Sequence, residues 1–244
     1  AKGKPGHSSV PHDQNAIVRL GRALAWLGEA NLPHHPPDSV QAFFESAADA
    51  QADDRIAELL LAVLDPNQSD EALRELPIEE RDRLMFDAML RNTCAPTLLN
   101  AGVKRNVIPS EARVGLSGRP LPGATESSFL SEMREAVGDS VEIDLESYHE
   151  GVQFDHQSDL FGVLVDATRL FESEAIVVPY MQTGGTDARF LKDLDIKIYG
   201  YVPMRHEPGP GFFELCHGHD ERVSAANVRF AVQILFEAVC RMNG

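Results

Sequence analysis

The chain has 244 residues, 43% hydrophobic and 25% charged, a balance that suits one large globular domain or two of average size. Its formal net charge of −16 argues against a phosphate-backbone partner, so no nucleic acid is expected. No apolar run approaches the roughly 20 residues that span a bilayer, and no membrane partner is expected. The three cysteines, Cys94, Cys216 and Cys240, are odd in number and far apart. They make neither a disulfide framework nor a CxxC zinc knuckle, which fits a reducing, cytoplasmic compartment.

The opening "AKGKPGHSS" has no initiator Met and reads as a strand running into a loop, so the chain is expected to begin inside a larger protein. In "DQNAIVRLGRALAWLGEA", Ile17, Leu20, Leu24 and Leu27 recur at helical spacing, with Asp13 as the expected cap. The prolines of "NLPHHPPDS" stop that helix. From Val40 to Leu90 three short amphipathic segments, "VQAFFESAADA", "DRIAELLLAVLD" and "PIEERDRLMFDAML", predict a helical insertion or a helical layer over a sheet. "RNTCAPTLLNAG" and "NVIPSEARVGLSGRPLPG" then predict strands punctuated by Gly and Pro. "TESSFLSEMREAVG" predicts a helix capped by Thr125 and stopped at Gly138, and "SVEIDLESY" alternates like a half-exposed strand. The first 150 residues thus predict an α+β domain with a mostly antiparallel sheet.

Beyond residue 150, helix, strand, helix, strand and helix alternate: "SDLFGVLVDATRLF", "EAIVVPYM", "QTGGTDARFLKDL", "IKIYGYVP" and "SAANVRFAVQILFEAVCRM", the last capped by Ser224. That is an α/β pattern, but two strands make a poor sheet, so this reads as part of a domain. In "ELCHGHDERVSAAN", His217 and His219 beside Asp220 and Glu221 suggest a metal site that needs ligands from elsewhere. The glycine turn "GGTDAR" offers backbone N–H groups that suit an anion.

The ordered motifs "GKPGHSS", "NVIPSEA…GRPLPG", "VVPYMQTGGTDARF", "IYGYVP" and "HGHDERV" resemble the zinc metallopeptidase family of aminoacylase, acetylornithine deacetylase, succinyl-diaminopimelate desuccinylase and carboxypeptidase G. The resemblance implies an α/β fold with an inserted α+β lid: residues 3–150 as the lid and dimerisation domain, with a helical insertion at about 38–90, and 151–244 as the C-terminal part of the catalytic domain. The HxD pair, bridging Asp and adjacent Glu residues of the family are not found, so the N-terminal half of the catalytic domain is expected to be missing. What the resemblance further implies is a two-zinc amide hydrolase, of exopeptidase, aminoacylase or deacylase type, acting on a substrate with a free carboxylate. His217 takes the place of a metal ligand. His7 takes that of an oxyanion donor reaching into the partner subunit, and Asn106, Arg119, Gly185 and Thr186 those of groups holding the carboxylate end. Ser117 stands where the family often has Asp. The fragment alone is expected to be inactive, and a homodimer through the lid is expected. The alternative is a non-catalytic dimerisation or regulatory module derived from the same family.

Overall fold

The structure, a computed structural model, describes all 244 residues except Pro210, Phe212, Phe213, Glu214, His217 and Gly244. The chain divides into two compact units. The first comprises Ala1–Gln153 with Tyr180–Phe190, the second Phe154–Pro179 with Leu191–Gly244. Together they are mixed helices with small antiparallel sheets among the described residues.

In the first unit, β1 (Gly6–His7) pairs antiparallel with β3 (Val107–Ile108), and β2 (Thr93–Ala101) with β4 (Ala112–Arg119). The N-terminal segment continues the first pair: Gly3 N–H donates to Ser110 O at 2.8 Å, and Lys2 bridges Glu111. Gly3 admits no side chain, since a Cβ there would meet Gln14 O at 2.4 Å. Two helices, α1 (Ala16–Glu29) and α6 (Glu126–Val137), cover the β2–β4 sheet. Their apolar positions recur at helical spacing, and Ala23, Leu27, Phe129, Met133 and Val137 close over Cys94 and Leu116. Gly118 of β4 lies so near α6 that a Cβ would meet the Phe129 ring at 2.6 Å.

Thr125 and Gly138 bound α6 as expected: Thr125 Oγ1 accepts from Ser128 N–H at 3.1 Å, and Gly138 takes φ 68°. For α1 the expected cap is wrong. Asn15, the residue directly before the helix, accepts from Ile17 N–H at 2.9 Å, whereas Asp13 lies a turn too early.

Between α1 and β2 lies the helical layer: α2 (Asp38–Asp49), α3 (Asp54–Ala62), α4 (Ser69–Glu75) and α5 (Glu80–Leu90). The sequence predicts three segments there and the structure has four. In "DPNQSD" the Asp65 carboxylate accepts from Asn67 N–H at 2.9 Å, and its carbonyl accepts from Ser69 N–H at 2.8 Å. The expected break is therefore the turn that starts α4. These helices share one core built on Val40, Phe44, Val63, Leu73, Met89 and Leu90. Its ionic fastener is Arg91, 7% exposed, which reaches Asp70 at 2.6 Å and Asp87 at 2.9 Å. Burial pushes the Asp87 carboxyl above the usual range, while Arg91 pulls it back.

"SVEIDLESY" is not a strand. Val141 and Ile143 pack inward and Glu142 reaches Lys2 at 2.7 Å, so the alternation holds, but no ladder forms.

In the second unit, α7 (Asp159–Phe171) packs against α9 (Ala225–Asn243) through Leu164, Ala167, Phe230, Ile234 and Ala238. Ser158 caps α7 and Ser224 caps α9, donor to acceptor 3.2 and 3.0 Å. α8 (Ala188–Leu191) is a short turn of helix. The two stretches expected as strands, 174–181 and 196–203, form no ladder among the described residues. The second keeps a two-residue period: Tyr199 and Tyr201 both face α7, their hydroxyls on Ser158 and Thr168. An extended segment becomes a strand only when a neighbour takes its hydrogen bonds, and none does here.

Two substitutions test this packing by denaturant unfolding. Phe44→Ala, at a residue with no exposed surface, lowers stability by about 3–5 kcal/mol. Gly118→Ala lowers it by about 1–3 kcal/mol through the clash with Phe129.

Candidate functional site

The β1–β3 ladder brings two of the expected site residues together. His7 pairs with Val107, and the carbonyl of the preceding Asn106 accepts from Ser8 N–H at 3.1 Å. Both side chains are exposed. The His7 ring is held by its own turn: Nδ1 lies 2.8 Å from Ser9 Oγ and 3.3 Å from Ser9 N. The Ser9 N–H can only donate, so Nδ1 is an acceptor and the neutral ring carries its proton on Nε2. His7 is thus presented as an outward hydrogen-bond donor. Ser9, which orients it, was not singled out in the sequence, although the "GHSS" motif contains it.

Arg119 lies elsewhere. It pairs with Thr93 at the far end of β4, seven residues and about 23 Å of strand beyond Ala112, which adjoins the β1–β3 pair. Its guanidinium is exposed and makes no ion pair with the described residues. The fold does not place Arg119 beside Asn106.

Gly185 and Thr186 belong to the first unit although they lie far along the chain. Thr186 Oγ1 accepts from Ala188 N–H at 3.2 Å, closing the turn into α8. Their anchor is Tyr180. Its ring meets Phe43 of α2 edge-on at 5.6 Å, and its hydroxyl donates to Met85 Sδ of α5 at 2.9 Å. Burial raises the phenol above its usual range, with Asp82 adding to the shift, so it remains a donor. Met181 packs on the same core. Tyr180 and Met181 were read as part of a strand, and nothing local in the sequence marks them as contacts of the helical layer. Arg189 lies over the Phe190 ring, 4.6 Å from its centre.

His217, the expected metal ligand, lies outside the described residues. His219 is exposed, and Asp220 pairs with Arg222. Among the described residues no three His, Cys, Asp or Glu side chains gather in a group able to hold a metal ion. The described residues by themselves do not complete a zinc centre. Cys94 offers no nucleophile: burial raises its thiol and keeps it protonated. No helix among the described residues is long and apolar enough to cross a membrane.

The chain is similar to several known proteins over nearly all its length. It is 27% identical to the human N-fatty-acyl-amino acid synthase/hydrolase PM20D1 over 242 residues, which cover 96% of this chain and 46% of that protein. It is also 27% identical to a probable carboxypeptidase S-like 2 of Dictyostelium discoideum over 238 residues, 96% of this chain and 44% of that one. The chain thus spans under half the length of these relatives. Its fold resembles a solved M20 family metallo-carboxypeptidase from Sulfolobus solfataricus, with a TM-score of 0.57 at 15% identity, over 97% of this chain and 55% of that one. A family model described as the peptidase dimerisation domain matches residues 1–144, the stretch that holds β1 to β4, α1 to α6 and the His7–Asn106 pair. The chain therefore belongs to the M20 peptidase family and carries its dimerisation domain.

Proposed function

We propose that this chain is part of a zinc-dependent amide hydrolase whose substrate carries a free carboxylate. In this reading residues 3–150 are the lid and dimerisation domain, and 151–244 the C-terminal part of an α/β catalytic domain. The observation that carries the reading is the second face of α9. Phe230, Ile234 and Ala238 are buried against α7, yet Val228, Val232, Leu235, Val239 and Met242 are exposed at spacings of four, three, four and three. A helix apolar on both faces belongs inside a larger body. The apolar stretches 174–181 and 196–203, which have no ladder partner among the described residues, call for the same neighbours. The rest of an α/β domain would supply both.

The relatives' names support the substrate class. An N-acyl amino acid and the end of a peptide both have a carboxylate one carbon from an amide nitrogen, as the names fatty-acyl-amino acid hydrolase and carboxypeptidase imply for those proteins. Zinc, when bound in the whole protein, would polarise the scissile carbonyl and activate water; His217 is the ligand this chain would contribute, with the base and further ligands from the remainder. Asn106, Arg119, Gly185 and Thr186 hold the carboxylate end, Asn106 and Arg119 coming from different subunits of the dimer because one chain holds them at opposite ends of its strands. His7 acts from one subunit on the other, its Nε2–H meeting the oxygen on which charge develops.

Pairing of two lids uses β2 and α1. The outer edge of β2 has no partner among the described residues, and Leu98 and Leu99 there are 73% and 69% exposed. Ile17 and Val18 stand on an outward face of α1 with Gly21 and Gly28, around which there is open space. A second copy covers both by extending the sheet and packing helix on helix.

A second reading, a dimerisation module without chemistry, is favoured by the same β2 edge. Light scattering after size exclusion is expected to give twice the 26.8 kDa chain mass, and Leu98→Arg with Leu99→Lys is expected to give a monomer. A native monomer would overturn the pairing under either reading. The chain with added zinc is expected to show no amidase turnover above a metal-free control; turnover would show that its own residues suffice. In the full-length protein His7→Ala should lower kcat about 100- to 1,000-fold with little change in KM. An unchanged kcat removes His7 from the reaction and favours the non-catalytic reading.

A further inference from the structure

We propose that the helical layer α2–α5 is a binding site for the apolar tail of the ligand, a long alkyl chain carried by a carboxylated head such as an N-acyl amino acid. The inference rests on the reading that Gly185 and Thr186 contact the carboxylate. The layer frames an open apolar pocket of about 290 Å³. Phe43, Ala47, Ile56, Leu60, Ile78 and Phe86 form its wall. Gln51 is the one polar side chain among the described lining residues, and its amide is already spent on Ala47 O at 3.2 Å. A closed apolar cavity of about 150 Å³ holds a benzene ring, so this one has room for a longer apolar group.

Its position connects it to the carboxylate grip. Phe43 is shared: one part of the ring lines the cavity, and the ring meets Tyr180 edge-on at 5.6 Å. Phe86, also in the wall, meets Phe43 at 5.6 Å. Gly185 follows Tyr180 by five residues, at most about 18 Å of extended chain. A long acyl group is able to bridge a separation within that limit. The contact that anchors the glycine turn is thus also a wall of the cavity.

Calorimetric titration of the chain with N-acetyl-, N-hexanoyl- and N-dodecanoylglycine, below their micelle concentrations, tests this. Affinity is expected to rise roughly fourfold per methylene until the cavity is full. Ala47→Trp and Ile78→Trp each fill the cavity from a half-buried position. With the fold verified by helical circular dichroism, they are expected to weaken N-dodecanoylglycine at least tenfold and leave the acetyl compound unchanged. A chain-length dependence that survives both fillings overturns the proposal. A measurement on the native chain needs no variant: N-dodecanoylglycine should shift the Ile56 and Ile78 methyl resonances, and unmoved methyls overturn it as well. Dodecanol and Thr186→Ala separate the two layers of the argument. Equal binding of dodecanol and dodecanoylglycine, insensitive to Thr186→Ala but lost on filling, sustains the cavity and removes the carboxylate grip.

Discussion

The placement of the candidate site depends on one aromatic contact. Tyr180 reaches Phe43 and Met85, more than 90 residues back along the chain, and brings the glycine turn after it onto the first unit. Tyr180 keeps 42% of its surface exposed, and its hydroxyl donates to a thioether from α5. Phe43, Phe44, Phe86 and Tyr180 stack edge to face, the arrangement favoured by the ring quadrupoles. That cluster is what ties the segment carrying Gly185 and Thr186 to the helical layer. The helical layer, which carries no recognisable motif, is therefore the part of the fold that determines where the motif-bearing turn can sit.

A second theme is surface left without a partner. The outer edge of β2 and the outward face of α9 are each built as an element that expects a neighbour. Edge strands with free N–H and C=O groups are normally blunted by charge or proline; β2 carries Pro96, but beyond it shows exposed Leu98 and Leu99. Its bulge between Pro96 and Leu98 shifts the register, so neither face of the strand is apolar along its whole length. The match to a peptidase dimerisation domain gives the β2 edge a natural occupant in a second copy. The α9 face has the spacing of a helix that packs on both sides, and the relatives are about twice as long as this chain.

Helices and their ends were legible in the sequence because they are local. Thr125 and Gly138 bound α6, and Ser158 and Ser224 cap the helices after them, since a cap needs only a side chain a few residues from free N–H groups. The errors were also local: Asn15 outcompeted Asp13 by standing next to the first turn, and the break expected at "DPNQSD" is followed by a short further helix, α4, that was not expected. Strands were another matter. Alternation at 140–148 marks Val141 and Ile143, which turn inward, but Leu145 is 40% exposed, and the ladder itself needs a second segment.

Of the site, the sequence determined its chemical parts: an exposed imidazole, an amide, a guanidinium and a glycine turn, in an order that marks the M20 family. Composition and motif order suffice for that, because residue identity is carried in the chain itself. Only the tertiary structure decided their grouping. It set His7 beside Asn106 through a two-residue ladder, aimed the imidazole by Ser9, carried Arg119 to the far end of β4, and tied the glycine turn to the helical layer through Tyr180. Each of these depends on contacts between segments remote in sequence, whose energies come from burial and pairing and leave no local trace in the residues that make them.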